Sequence, residues 1–188
     1  MSGDQPGWAL PSRDPFVDLG DEGRAADAVQ ARIAERELRR VAAESATFAG
    51  TLRDLAEGAS VVTLRAATDR TYQGALVAVA IDHVVLRSSI GALVHIAVDQ
   101  VTSVQPDLGR PPAVASGERE QAAGRTLDEV LFEAVEERPT VSLVTRGDGT
   151  VHRGTLLSVG EDVLTVRATD AGALRYLPTL AISEVVIE

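Results

Sequence analysis

Two stretches of the chain are short Val- and Leu-rich segments cut by turn-forming residues, and a third repeats its apolar residues every three or four positions. These segments predict strands near 61–66, 71–79, 83–88, 92–97 and 100–105, and again near 140–146, 150–159, 163–168, 173–177 and 181–187. Between them stand the turn-forming pairs Asp69-Arg70, Asp148-Gly149, Gly160-Glu161 and Ala171-Gly172. From 21 to 57, Ala26, Val29, Ile33, Val41, Phe48, Leu52 and Leu55 keep helical spacing, with a break expected near Gly50. Thr126 followed by Glu129 is a capping-box pattern that starts a further short helix, and Pro139 ends it.

The two strand-rich stretches repeat each other. Val62, Leu64, Gly74, Leu76, Val79, Gly91, Leu93, Val101 and Val104 find Val141, Leu143, Gly154, Leu156, Val159, Gly172, Leu174, Ile182 and Val185. The offset moves from 79 through 80 to 81, so two single-residue insertions align the copies. Gly74 and Gly154 fall inside long second strands, where glycine is expected to mark a bulge or a sharp bend. The expected fold is therefore α+β: two tandem five-stranded antiparallel barrels, each led by a helix, behind a longer N-terminal helix. The expected boundaries are a disordered arm over 1–20, a helical region over 21–57, a first barrel over 58–105, a flexible linker over 106–124, and a helix with the second barrel over 125–188. Trp8, Phe16, Val17 and Leu19 give the arm a way to dock. A barrel of this size buries little surface by itself, so association of the modules with each other or with other chains is expected.

In the second copy Val141-Ser142-Leu143, Asp148-Gly149 and Gly154-Thr155-Leu156-Leu157-Ser158-Val159 resemble the motifs of Sm-like proteins; the first copy matches more loosely through Val62-Thr63-Leu64, Asp69 and Gly74 to Val79. SH3-like barrels share much of this spacing. The whole chain is also similar to actinobacterial proteins that join a helical N-terminus to such barrels. The resemblance implies a small barrel and, in family members that bind RNA, an Asp and an Asn after the glycine motif. This chain has Ala80 and Val84 there in one copy and Gly160 and Leu164 in the other. Where the family carries Arg-Gly, it has Val98-Asp99-Gln100 and Pro178-Thr179-Leu180. With no base-stacking aromatic or polar base-reader in either copy, the fold transfers but RNA binding does not follow.

Composition sharpens this picture. Formal net charge is −10 over 188 residues, which opposes attraction to nucleic acid or an anionic membrane. All basic residues are arginine, which fits a GC-rich bacterial genome better than selection of individual phosphate clamps. Cysteine is absent, excluding disulfides, thiolate metal sites and thiol nucleophiles. The acidic, Gly/Pro-rich start does not read as a signal peptide and no apolar run reaches membrane-spanning length, so a cytoplasmic location is expected.

Little else carries chemistry. His83, His95 and His152 lack metal-ligand spacing and read as surface or edge-strand residues. Asp82 and His83, as neighbours on a strand, should face opposite ways and not cooperate. Gly147-Asp148-Gly149 reads as a hairpin turn. The helical run ARIAERELRR alternates charge like a solvated or coiled-coil-flanking face. Arg87 and Arg167 recur at matched positions. They are the candidate contacts for an anion or for a partner's carboxylate, against the simpler reading of solvated strand ends. The sequence thus points to a non-catalytic interaction protein, with no cofactor or metal and with a protein partner or self-association expected. A weak single-stranded RNA regulator is the alternative, and an enzyme with an unrecognised site is the least favoured.

Overall fold

A computed structural model describes residues 15–107 and 124–188, without the side chains of 15–23, 25 and 26. The chain divides into two units, Met1–Glu44 and Ser45–Glu188. In the first, helix α1 runs from Pro15 to Glu44, so it starts six residues ahead of the expected boundary. Its Val29, Ile33, Leu38 and Val41 are exposed, and its charged face carries Glu35–Arg39 and Glu37–Arg40 pairs one turn apart. Most of the arm expected over 1–20 and of the linker expected over 106–124 lies outside the described residues.

The second unit is α+β. It contains helix α2 (Phe48–Glu57), strands β1 (Val61–Ala66), β2 (Thr71–Val79), β3 (His83–Arg87), β4 (Leu93–Ala97) and β5 (Val101–Pro106), then helix α3 (Leu127–Ala134). Strands β6 (Thr140–Thr145), β7 (Val151–Val159), β8 (Val163–Ala168), β9 (Leu174–Pro178) and β10 (Ile182–Ile187) follow. The helical break falls at Ser45–Thr47 rather than at Gly50. The Thr47 hydroxyl accepts from the Gly50 N–H and starts α2, which places Gly50 inside the helix. Thr126 starts α3 through the capping box that its spacing with Glu129 predicts.

In place of two separate barrels, all ten strands form one open antiparallel sheet, in the order β5-β1-β2-β3-β4-β10-β6-β7-β8-β9. Within each five-strand module the first strand pairs with the second and the fifth, as β1 does with β2 and β5. The fourth and fifth strands of a module do not pair. Instead β4 takes β10 of the other module, placing Glu184 opposite Ile96, Val185 opposite His95, Val186 opposite Val94 and Ile187 opposite Leu93. The physical reason is edge chemistry. A strand end-row of unpaired N–H and C=O groups is satisfied as well by a strand of the neighbouring module as by its own.

Each module keeps its own aliphatic core. Leu52, Leu55, Val62, Leu64, Leu76, Leu86 and Ile96 pack together in the first. Leu127, Leu131, Val141, Leu143, Leu156, Leu164 and Val185 do so in the second. The short helix of each module thus supplies the cover that five short strands lack.

Local details recur between the modules. The fifth strands bulge at Thr102 and Ser183, whose hydroxyls donate to the Arg65 and Val144 carbonyls, each at 3.0 Å. The second strands bulge at Val77 and Leu157. Those bulges lie three residues beyond Gly74 and Gly154, so the glycines have another cause. A Cβ on Gly74 would collide with the Arg87 carbonyl, and one on Gly154 with the Arg167 carbonyl. Gly154→Ala is accordingly expected to lower unfolding free energy by about 1–3 kcal/mol, with its urea midpoint shifted and its slope retained.

Candidate functional site: the seam between modules and the free sheet edges

The most elaborate polar arrangement lies where the modules meet. Glu184 on β10 is fully buried (0% exposed), and its carboxyl accepts hydrogen bonds from the Thr68 and Tyr72 hydroxyls of the first module. Burial, then the Glu184 carboxyl, raises the Tyr72 phenol above its ordinary range, so it remains a protonated donor. A buried acid across a domain seam is tolerable only when its oxygens are satisfied, and here both are.

On the same seam Asp82, in the turn before β3, accepts the Leu127 N–H at the start of α3 at 3.0 Å. This carboxylate thereby holds the second module's helix from the first module. Its Oδ1 also lies 2.8 Å from His83 Nδ1. The two do cooperate, contrary to the expectation for strand neighbours, because Asp82 belongs to the turn and not to the strand. Asp99 pairs with Arg146 at 2.5 Å, and Arg146 Nε donates to the Ile182 carbonyl at 3.2 Å. These residues, with Ile81, Val98 and Leu180, line a cleft of about 430 Å³. Asp128, also on its wall, titrates above the ordinary carboxylate value through burial and then repulsion from Asp82. A second hollow, of about 470 Å³, lies beside α3 around Phe132, Val159 and Glu161.

The histidines are not surface residues in the first module. His83 and His95 are 1% and 4% exposed, and their rings lie 5.1 Å apart. Both His95 ring nitrogens are buried without a partner among the described residues. Burial, then His83, pushes the His95 pKa down from 6.5 to about 4. Among the described residues no cluster of three or more His, Cys, Asp or Glu could hold a metal ion.

Arg87 and Arg167 lie in the third strands, β3 and β8, each opposite the start of the next strand and exposed. Each is fixed at the backbone by the glycine it covers. Neither guanidinium forms an ion pair among the described residues, and no further polar group is seen to gather around either. Glu184 is marked in the sequence only as the one acid within the mostly apolar segment Ile182 to Ile187.

The outer edges of the sheet are β5 and β9. On and beside β9, Tyr176 is 67% and Leu180 83% exposed. Comparison with known protein families, with curated proteins and with solved structures finds no match in any of the three.

Two outcomes follow for the seam. Tyr72→Phe leaves a buried carboxyl short of one donor, so it should cost about 1.5–3 kcal/mol in chemical denaturation. His95 is held neutral in the fold while the unfolded chain takes up its proton below 6.5. Its contribution is therefore complete above pH 6.5 and is lost as pH falls toward about 4, a decline worth about 3 kcal/mol. Thermal melts of the chain and of His95→Leu across this window should show the pH slope shrinking in the variant.

Proposed function

We propose that this chain is a non-catalytic interaction protein whose joined modules, resembling Sm-like barrels, form a platform for protein partners or further copies. The observation that carries this reading is the commitment of Asp82, Asp99 and Arg146, three of the four charged residues that line the cleft. Asp82 is bound to Leu127 and Asp99 to Arg146, both across the modules, and Asp82 also meets His83, so these groups are already engaged. No nucleophile with an adjacent base is seen among the described residues. The unpaired edges β5 and β9 and the exposed apolar positions of α1 offer surfaces of the kind that protein partners cover. Absence of cofactor and metal chemistry, and a cytoplasmic location, belong to the same reading.

A second reading, weak binding of single-stranded RNA, is favoured only by Arg87 and Arg167, exposed and without ion pairs among the described residues. The net charge of −10 and the missing base-reading residues weigh against it. Capture with the full chain as bait, with and without nuclease, should recover the same proteins in both lanes, and a pooled single-stranded RNA should not shift at low ionic strength. An RNA shift that weakens with salt and with Arg87→Ala or Arg167→Ala would replace the interaction reading with the RNA one.

A further inference from the structure

We infer that copies of this chain join head to tail, β9 of one copy adding to β5 of the next in the register that β4 and β10 already use inside the chain. The inference rests on the interaction reading and names its partner as a second copy. It starts from topology. One fourth-strand edge and one fifth-strand edge are paired with each other, and the equivalent two, β9 and β5, are left at opposite ends of the sheet.

Because the modules match position for position, the internal register carries over. His95 corresponds to Tyr176 and Leu93 to Leu174; Val185 corresponds to Val104 and Ile187 to Pro106. The joint then sets Val104 of one copy opposite Tyr176 of the other, and Pro106 opposite Leu174. The Asp107 N–H bonds to the Val61 carbonyl and the Thr179 N–H to the Asp162 carbonyl. By antiparallel alternation Val104 and Tyr176 therefore turn their own N–H and C=O groups outward, ready to exchange two hydrogen bonds. Pro106 and Pro178 also face outward and each withholds one N–H, so this joint is weaker than the internal one and depends on concentration.

The seam contacts transfer as well. Asp82 corresponds to Asp162, and Leu127 to Phe48 at the start of α2, so Asp162 meets the Phe48 N–H as Asp82 meets that of Leu127. Tyr72 corresponds to His152, whose Nδ1 is buried without a partner, and Glu184 to Ser103, a hydroxyl that can supply one. The Asp99–Arg146 pair corresponds to Leu180 and Ala67, both exposed in the single chain. An ion pair at the inner joint becomes an apolar contact at the outer one, which explains why Leu180 stands 83% exposed. The surfaces are different on the two sides, so the contact is heterologous and propagates into a closed ring or an open filament.

Sedimentation or light scattering of the full chain over a concentration series tests this. The expected mass rises above the 19.8 kDa of one chain, toward a fixed multiple for a ring or without limit for a filament. Leu180→Asp and Ala67→Asp change only exposed positions and should each weaken association about tenfold or more, with circular dichroism unchanged. Mixed together, the two variants retain one intact joint between them and should form a pair of unlike chains. A mass of one chain at every concentration overturns the inference. So does assembly indifferent to both aspartates, which would place the contact elsewhere, α1 included. A single-chain mass combined with nuclease-resistant protein capture would remove this inference and leave the interaction reading standing.

Discussion

The pairing of β4 with β10 is the constraint on which the rest of the second unit depends. Five short strands over one short helix leave both a fourth-strand and a fifth-strand edge unsatisfied, and backbone N–H and C=O groups withheld from water need partners. Joining β4 to β10 settles one of each and turns two small modules into one sheet. The two cores form distinct clusters, although Val186 of β10 packs against the first, so the joint is made chiefly by strand pairing and by the polar contacts around it.

Those polar contacts are specific to the joint. Glu184 reaches from β10 to Thr68 and Tyr72, Asp82 reaches from the first module to α3, and Arg146 ties Asp99 to the Ile182 carbonyl. Buried polar groups contribute modestly when satisfied and cost much when not. The seam therefore tolerates one relative placement of the modules and penalises slippage. The same logic makes His95 a liability in acid. Its nitrogens have no partner among the described residues to share a proton with, and a buried imidazolium beside His83 is disfavoured.

Where sequence reasoning went astray, the cause was geometric. The rule for strand neighbours puts Asp82 and His83 on opposite faces, but the strand begins at His83, which leaves Asp82 free to turn back. Of the bulge or sharp bend that Gly74 and Gly154 suggest, the bulges occur three residues later, and the glycines answer to the carbonyls of Arg87 and Arg167. The recurrence of those two arginines is thus met by a backbone constraint that acts on the position and says nothing of the side chain.

The sequence by itself determined the strands, the helix start at Thr126 and the matching of the two halves, because short apolar segments, capping chemistry and turn residues act over a few neighbours. The tertiary structure alone decided that fourth and fifth strands pair between modules. Backbone hydrogen bonds carry no record of which edge they will meet, and either choice leaves the same pattern in the sequence. It alone decided, too, that Glu184 and the two first-module histidines are interior, because their burial comes from the opposite module or the opposite strand, many residues away along the chain.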